Sequence, residues 1–404
     1  MSEVRIQAIG GGITAAQGFQ AAAVHCGIKP EGLDLAVIVS DVPAPTAAVF
    51  TTNVAAAAPI IVCREHLARS AGIARAIAVN SGCANACTGE AGLAAAREMA
   101  ASVAVSVGCQ TEHALVASTG VIGQPLDTAK VATGIGEASR NLGRDTHHAA
   151  AEAIMTTDPW PKETAVRVTT PAGSFVIGGM VKGAGMIEPH MATMLGFLTT
   201  DATIDTVVLR RALVDVTGDT FNAITVDGEC STNDSVFLMA NGASNVQLGE
   251  REYPDFIRAL REVCGTLARE IVRGGEGATK LVTVRVTGAE SQSDAKRAAR
   301  AIANSLLVKT ALHGGDPNWG RFVAVAGRAG VSFTLAKARV QIGPAVLFAD
   351  DTVFVDREPA AAEHLRGKEV EVEVDLGTGG SDEATVWTCD LSAQYVRINA
   401  DYRT

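Results

Sequence analysis

The hydrophobic positions of this chain follow two different periods, which predicts a protein that mixes strands and helices. Short apolar runs rich in β-branched residues are typical of buried strands. Four such runs are "LAVIVS" at 35–40, "RAIAVNSG" at 75–82, "HALVASTGVIG" at 113–123 and "LVTVRVTG" at 281–288. The third run is predicted to pass from a strand into a glycine-bearing turn at Ser118–Gly120.

Helical periodicity is clearest between residues 254 and 272, where apolar residues recur at spacings of three and four. These residues are Phe256, Leu260, Val263, Leu267 and Ile271. Further helices are predicted over 89–107, over 145–158 with Asp145 as N-cap, from the Asp205 cap to about Val216, and over 294–312.

Hairpins also occur, because the segment 164–179 has two strand patterns around a turn at Pro171–Gly173. Strands alternate with helices elsewhere, and the last hundred residues are rich in short strand patterns. The predicted fold class is therefore α/β, a layered sandwich with mixed sheets. No linker or low-complexity segment marks a domain boundary in the 404 residues.

Composition and charge exclude several classes of function. The net charge is −10 and no basic run occurs, which argues against a nucleic-acid partner. The chain start has no apolar core of a signal peptide, and no uncharged apolar stretch reaches about 18 residues, so no membrane span is expected.

Eight scattered cysteines then predict reduced thiols and a cytoplasmic location. Cys83 and Cys87 lack further metal ligands at zinc spacing, so we expect no metal and no cofactor.

The stretch "KGAGMIEPHMATMLGF" at 182–197 carries the first candidate chemistry. A threonine hydroxyl is a poor nucleophile without an adjacent base. The α-amino group of Thr193 would be such a base, but only if the bond after Ala192 is cut. A small residue before the threonine and a glycine-rich approach suit that cleavage, whereas an ordinary turn is the simpler explanation.

Three further segments have both a functional and a structural interpretation. "ASTGVIG" at 117–123 presents amides and a hydroxyl that suit an oxyanion, or is only a turn. "VDGECSTNDS" at 226–235 is dense in polar groups, or is only a loop before a strand. "RGGEGATK" at 273–280 places Glu276 beside a cationic ligand, or is only a glycine helix cap. Taken singly, each favours the structural interpretation, as do "GGGIT" at 10–14 and the turn "GGDPNWGR" at 314–321.

Taken together, these segments resemble one known family. The segments are "VNSGCANACTGEAG", "STGVIG", "IMTTD", "VKGAGMIEPHMATMLGF", "DGECSTNDS", "GGEGATK", "DPNWGR" and "SAQYVRINADYRT". In this order they strongly resemble the ornithine acetyltransferases of arginine biosynthesis, also called glutamate N-acetyltransferases. The resemblance runs from about residue 10 to the end.

The resemblance implies a self-cleaving N-terminal-nucleophile enzyme with a layered α/β fold shared with certain aminopeptidases. Cleavage between Ala192 and Thr193 would give an α chain, 1–192, and a β chain, 193–404. The two would stay folded together as a heterotetramer with two copies of each. The implied reaction moves an acetyl group from N2-acetylornithine to glutamate through an acetyl-Thr193 ester, and acetyl-CoA is a possible second donor.

The resemblance also implies site residues. The oxyanion donors would be Thr119 and Gly120. The substrate contacts would be Thr156 (or its neighbour Thr157), Lys182, Thr193, Glu276, Asn399 and Thr404. Lys182 can meet the carboxylate that both amino-acid substrates carry, and Glu276 can meet the side-chain ammonium of ornithine.

Two other functions stay open from sequence alone. One is a related N-terminal-nucleophile aminopeptidase or hydrolase, which passes its acyl group to water. The other is an unprocessed binding protein, against which the intact Thr193 and oxyanion segment argue.

Overall fold

A computed structural model describes residues 4–188 and 194–401. Within them, two β-sheets are covered by helices. The larger sheet contains β1 (Arg5–Ile9), β2 (Phe19–Val24), β3 (Leu35–Phe50), β4 (Ile73–Cys83), β5 (Ala114–Val121), β6 (Lys162–Thr170), β7 (Gly173–Lys182), β8 (Leu195–Thr200) and β9 (Ser235–Ala240). Its order is β1-β6-β7-β8-β9-β3-β4-β5, and β2 pairs with β3.

The larger sheet is mixed, because β4–β5 and β8–β9 run parallel while its other pairs are antiparallel. The smaller sheet contains β10 (Leu281–Ala289), β11 (Arg339–Ile342), β12 (Ala345–Ala349), β13 (Thr352–Val353), β14 (Glu369–Asp375) and β15 (Asp382–Cys389). Its order is β13-β12-β11-β14-β10-β15, with β10–β14 parallel. The predicted class, α/β layers with mixed sheets, is therefore confirmed.

Helices cover both sheets. They are α1 (Ala58–Arg69), α2 (Gly89–Val107), α3 (Thr128–Arg140), α4 (His147–Ala153), α5 (Thr206–Asp219), α6 (Tyr253–Arg273), α7 (Gln292–Ala303), α8 (Leu306–Gly314), α9 (Trp319–Gly327), α10 (Glu358–Leu365) and α11 (Ala393–Asp401). α6 shows why such segments fold as they do. Its five periodic apolar residues are all buried, and this face packs on β6 and β7.

The predicted strands, the helices at 89–107 and 254–272 and the 164–179 hairpin are confirmed. α5 begins at the predicted cap, because the Asp205 carboxylate accepts hydrogen bonds from the amides of Val207 and Val208. It ends at Asp219, three residues beyond the predicted end.

Four local predictions are wrong. The N-cap of α4 is Thr146, not Asp145. The predicted helix 294–312 is two helices, because the Ser305 side chain accepts from the Val308 amide and starts α8. "GGGIT" is no flexible turn: Gly12–Thr14 is a buried 3-10 helix. Trp319 does not lie in a turn but begins α9, although its stacking on Phe348 is structural, with 4.7 Å between ring centroids.

Candidate active site

The site lies at one edge of the larger sheet, where segments distant in sequence meet around a cavity. β5 contributes Thr119 and Gly120, β7 ends there at Lys182, and the loop after α6 contributes Glu276. The full lining is Ala84, Thr119, Gly120, Ile122, Thr156, Thr157, Lys182, Gly183, Gly185, Met186, Ile187, Met194, Leu195, Asp227, Glu229, Ser231, Thr232, Asn233, Asp234, Glu276, Tyr395 and Asn399.

Lys182 connects two of the predicted residues. Its Nζ donates to the Thr156 hydroxyl at 2.9 Å and to the Thr119 hydroxyl at 3.2 Å. Burial lowers the pKa of Lys182 below its ordinary value, although the Asp158 carboxylate opposes this shift. A substrate carboxylate beside Lys182 would favour its charged form. Thr157 also lines the cavity, but of these two neighbouring threonines the described contacts join only Thr156 to Lys182.

Behind Lys182 lies a buried carboxylate, Asp158, which organises this wall of the cavity. It accepts from Lys162 Nζ at 2.6 Å and from the Gly183 amide at 2.7 Å, and it lies 4.0 Å from Lys182 Nζ. Burial opposes its ionisation, but the charges of Lys162 and Lys182 outweigh that effect and lower the pKa of Asp158 to about 2. The carboxylate is therefore ionised at any ordinary pH.

The predicted oxyanion residues lie at the end of β5 rather than in a turn. Residues 118–120 continue the parallel ladder with β4, and the turn follows at 122–123. The turn prediction at Ser118–Gly120 is therefore wrong: pairing with β4 keeps these residues extended. Gly120 has φ 127°, and a Cβ there would lie 2.6 Å from the Cys83 nitrogen and closer still to the Gly82 carbonyl carbon. The close approach of the two strands requires glycine at this position.

The predicted acid lines the same cavity. Glu276 is buried, and the Asn399 side-chain amide of α11 donates to its Oε2 at 2.7 Å. Its amide donates to the Ala184 carbonyl at 2.8 Å, which ties the loop after α6 to the loop after β7. Gly185 leaves the room for this carboxylate, because a Cβ there would lie 2.5 Å from the Glu276 carboxyl carbon. The helix-cap interpretation of Glu276 is incomplete, since its side chain faces the cavity.

The loop at 226–235 supplies acids to the same cavity. Asp227 accepts from the amides of Met186 and Ile187 at 2.7 and 2.8 Å and from the Tyr395 hydroxyl at 3.2 Å. Met186 has φ 56°, a left-handed conformation that is uncommon for a non-glycine residue. Asp227 thus holds the turn that leads into the predicted cleavage segment.

Three predicted residues, Ala192, Thr193 and Thr404, lie outside the described residues. Met194, bonded to Thr193, lines the cavity, and its carbonyl accepts from the Ser235 amide at 2.9 Å. Six predicted residues, Thr119, Gly120, Thr156, Lys182, Glu276 and Asn399, line one cavity.

Comparison with known proteins gives the family. A model of the ArgJ family matches residues 20–404. The chain belongs to the ArgJ family. Two relatives described as arginine biosynthesis bifunctional protein ArgJ come from Symbiobacterium thermophilum and Bacillus subtilis. The first relative is 47% identical, and the match covers 98% of this chain and 99% of the relative. The second is 42% identical, and the match covers 100% of this chain and 99% of the relative.

A solved structure gives the same family. The crystal structure of arginine biosynthesis bifunctional protein argJ from Bacillus halodurans is 43% identical, with a TM-score of 0.50; it covers 52% of this chain and 100% of its own. The resemblance to the ornithine acetyltransferases is thus confirmed. This ArgJ-family chain is an acyltransferase of arginine biosynthesis that acts on small molecules.

Three further features of the ArgJ-family chain concern metal binding, membrane-spanning helices and disulfide bonds. Within the described part, no group of three or more His, Cys, Asp and Glu side chains could hold a metal ion. Among residues 4–188 and 194–401, no helix has both the length and the apolar character needed to cross a membrane. No disulfide joins the eight cysteines, all of which lie in those ranges.

Sequence reasoning missed several residues of this ArgJ-family site, namely Asp158, Lys162, Asp227, Asn233, Asp234 and Tyr395. Asp158 and the 227–235 loop stood within quoted segments but received no role. The sequence held one indication that the 227–235 loop belongs to the site. This loop comes directly before β9, just as the predicted cleavage segment comes directly before β8. Parallel neighbouring strands begin at the same edge of a sheet, so the loops before them meet there.

We predict that Asp158→Asn will destabilise the protein and misplace Lys182. The substitution leaves Lys162 fully buried without its counter-ion, which costs about 3–5 kcal/mol. The double variant Asp158→Asn/Lys162→Met removes that unpaired charge. We expect it to restore the unfolding temperature, measured by calorimetry, but to keep a raised KM for both substrates. A double variant with wild-type KM would contradict a role for Asp158 in positioning Lys182.

Proposed function

We propose that the chain transfers the acetyl group of N2-acetylornithine to glutamate through an ester on Thr193. The observation that carries this proposal is the cavity itself. It is lined by a basic group, Lys182, and by an acid, Glu276, and Met194, bonded to Thr193, also lines it. N2-acetylornithine has a carboxylate and a side-chain ammonium, so its two charged ends match these two groups.

The first half-reaction forms the acyl-enzyme. Thr193 Oγ attacks the acetyl carbonyl, and the free α-amino group of Thr193 takes the hydroxyl proton. The carbonyl–nitrogen bond breaks, and that proton passes to the departing amine of ornithine. Oγ then carries the acetyl group as an ester.

The developing oxyanion needs donors at the end of β5. The Thr119 hydroxyl accepts from Lys182 Nζ, so its own proton is left to donate. A hydroxyl polarised by an ammonium group is a stronger hydrogen-bond donor. The adjacent Gly120 amide would be the second donor to the oxyanion. Each such donor contributes about 2.7–4 kcal/mol to turnover.

The second half-reaction returns the enzyme to its starting state. The amine of glutamate attacks the ester carbonyl, Oγ leaves, and the proton lost by the amine returns to Oγ through the Thr193 amine. N-acetylglutamate is released. Because both substrates are amino acids, Lys182 and Thr156 can bind the carboxylate of each in turn.

We also propose that the active form is cleaved between Ala192 and Thr193 into 1–192 and 193–404. The sheet order supports two pieces that stay together. β8 and β9 of the second piece lie between β7 and β3 of the first, so separation would break ladders on both sides. The whole solved Bacillus halodurans chain matches 52% of this chain. Residues 193–404 make up about the same share of this chain, 212 of its 404 residues. Native mass measurement would test the heterotetramer.

The test is one assay with three mixtures. N2-acetylornithine with glutamate should yield N-acetylglutamate and ornithine in equal amounts. Acetyl-CoA with glutamate tests the second donor, which we propose because the relatives are named bifunctional. N2-acetylornithine alone tests the hydrolase alternative: acetate released as fast with water as acetyl is transferred to glutamate would favour it and contradict our proposal.

We predict that Glu276→Gln will separate the two substrates kinetically. Loss of the charged partner should raise KM for N2-acetylornithine about 10- to 100-fold, since a hydrogen bond to a charged group contributes about 1.5–3 kcal/mol. KM for glutamate, which has no side-chain ammonium, should not rise. Glu262→Gln, an exposed change on α6, is the control. Equal increases for both substrates would refute the role of Glu276 in recognising ornithine.

A further inference from the structure

We propose that Asp234 is the proton carrier of self-cleavage, a catalytic group for the cut between Ala192 and Thr193. This inference rests on the proposed function and adds a residue to it. The sequence indicated only a polar loop before a strand, and the mechanism of acetyl transfer above does not use this carboxyl group.

The position of Asp234 follows from the strand register. β8 and β9 run parallel, with Leu195 opposite Ser235. The residues just before these strands, Met194 and Asp234, are therefore neighbours. The Ser235 amide donates to the Met194 carbonyl at 2.9 Å, and the Met194 amide in turn lies within hydrogen-bonding reach of the Asp234 carboxyl group. Met194 directly follows Thr193 in the chain, so the carboxyl group contacts the residue next to the proposed nucleophile.

The backbone around Asp234 fixes this position. The Asp234 carbonyl accepts from the Thr51 amide at 2.9 Å, which anchors the loop to the end of β3. The preceding residue, Asn233, donates its side-chain amide to the carbonyls of Ala84 and Ser118 at 2.6 and 2.9 Å. The loop that carries Asp234 is thus fixed to the end of β3 and to β5, the strand with the predicted oxyanion residues.

The Asp234 carboxyl group has an unused oxygen. Asp234 is 2% exposed and lines the cavity, yet its Oδ2 has no hydrogen-bond partner among residues 4–188 and 194–401. Burying a carboxylate oxygen without a partner is unfavourable, so such an oxygen calls for an explanation. A carboxylic acid that keeps its proton and gives it up during a reaction explains it.

The electrostatic setting favours that protonated acid. Burial raises the pKa of Asp234 well above its ordinary value, outweighing the Ser231 hydroxyl, the Lys182 charge and the amides of Ser231 and Met194. Lys182 faces it from the end of β7, and Asp227, Glu229 and Glu276 line the same cavity.

The other acids of the cavity are less suited to carry this proton. Asp227 already accepts hydrogen bonds from two backbone amides and from Tyr395. Both of its carboxylate oxygens therefore already accept hydrogen bonds, unlike Oδ2 of Asp234. Glu276 is bonded to Asn399, and Glu229 is exposed.

The chemical step balances with Asp234 as the carrier. Thr193 Oγ bonds to the carbonyl carbon of Ala192, and the bond between that carbon and the Thr193 nitrogen breaks. The Asp234 acid gives its proton to the departing nitrogen, and the carboxylate takes the proton of the hydroxyl. The result is an ester and a free amine, with Asp234 again protonated. Water then hydrolyses the ester and leaves the Ala192 carboxylate and the Thr193 hydroxyl.

The experiment follows cleavage of the full chain after a pulse of cell-free synthesis, by intact mass, across a pH series. Wild-type cleavage should slow as the pH rises and Asp234 loses its proton. Asp234→Asn keeps the shape of the side chain but cannot release a proton. We expect it to cleave about 100-fold more slowly, the lower end of general-acid contributions, and without the wild-type pH dependence.

A matched control is Asp201→Asn, which changes a buried aspartate that accepts from the Gln17 and Val176 amides away from the cavity. It should cleave with the wild-type pH profile. A wild-type cleavage rate independent of pH, or Asp234→Asn cleavage at the wild-type rate and profile, overturns the inference while leaving acetyl transfer intact. A wild-type chain that neither cleaves nor transfers acetyl overturns the proposed function instead.

Discussion

A Thr193→Ala variant is expected to remain one uncut chain and to transfer no acetyl group. The same hydroxyl attacks the Ala192 carbonyl in cleavage and the donor carbonyl in transfer, and alanine has no oxygen to do either. The uncut chain also lacks the free amine that serves as base. We expect turnover to fall to the background of the assay, a loss of at least about 10⁴-fold.

Two comparison variants make this result specific. Thr193→Ser keeps a hydroxyl and should retain slower cleavage and transfer, whereas Thr133→Ala, an exposed change on α3, should behave as wild type. The measurement is intact mass under denaturing conditions together with the acetyl-transfer assay. Wild-type-like transfer by Thr193→Ala would end the nucleophile hypothesis.

Gly120→Ala is expected to have the second-largest effect, because it pushes apart the two strands that shape the oxyanion site. The new Cβ would lie 2.6 Å from the Cys83 nitrogen, at a backbone φ of 127° that side chains rarely adopt. Backbone atoms cannot move aside as a flexible side chain can. We expect kcat to fall about 10²- to 10³-fold, as on loss of an oxyanion donor, and the free energy of unfolding to fall by about 1–3 kcal/mol.

The control for Gly120→Ala is Gly123→Ala. Gly123 also has a positive φ, 78°, but a Cβ there would meet no atom within 4 Å. It should cost only the strain of the left-handed conformation, about 1–2 kcal/mol, and leave kcat unchanged. Equal kcat for Gly120→Ala and wild type would show that the end of β5 does not stabilise the oxyanion.

The local pattern of apolar residues predicted helices and strands well where a single packing interaction determines the conformation. α6 is an example, since its apolar stripe has a single period and packs mainly on β6 and β7. The break between α7 and α8 was missed, because apolar residues continue across it and only the hydrogen bond from Val308 to Ser305 shows the new helix start. The strand pairing of Ser118–Gly120 was missed because its cause is contact with β4, 36 to 38 residues earlier in the chain.

The site was predictable only in part. Residues named from the family resemblance, such as Lys182 and Glu276, lie in segments that could be recognised one by one. Residues that act through neighbours distant in sequence were not recognisable. Asp158 has its role because it lies 4.0 Å from Lys182. Asp234 has its role because the parallel pairing of β8 with β9 brings it next to Met194. No local pattern encodes either contact, so the role of each follows from the structure.

The central claim is that Thr193 carries the acetyl group between the two substrates. The most direct measurement is the mass of the 193–404 piece after incubation with N2-acetylornithine in the absence of glutamate. We expect a gain of one acetyl group, located on Thr193 by peptide fragmentation and lost when glutamate is added. N-acetylglutamate formation at the full rate with no acetylated piece detected would contradict the claim and indicate direct transfer between bound substrates.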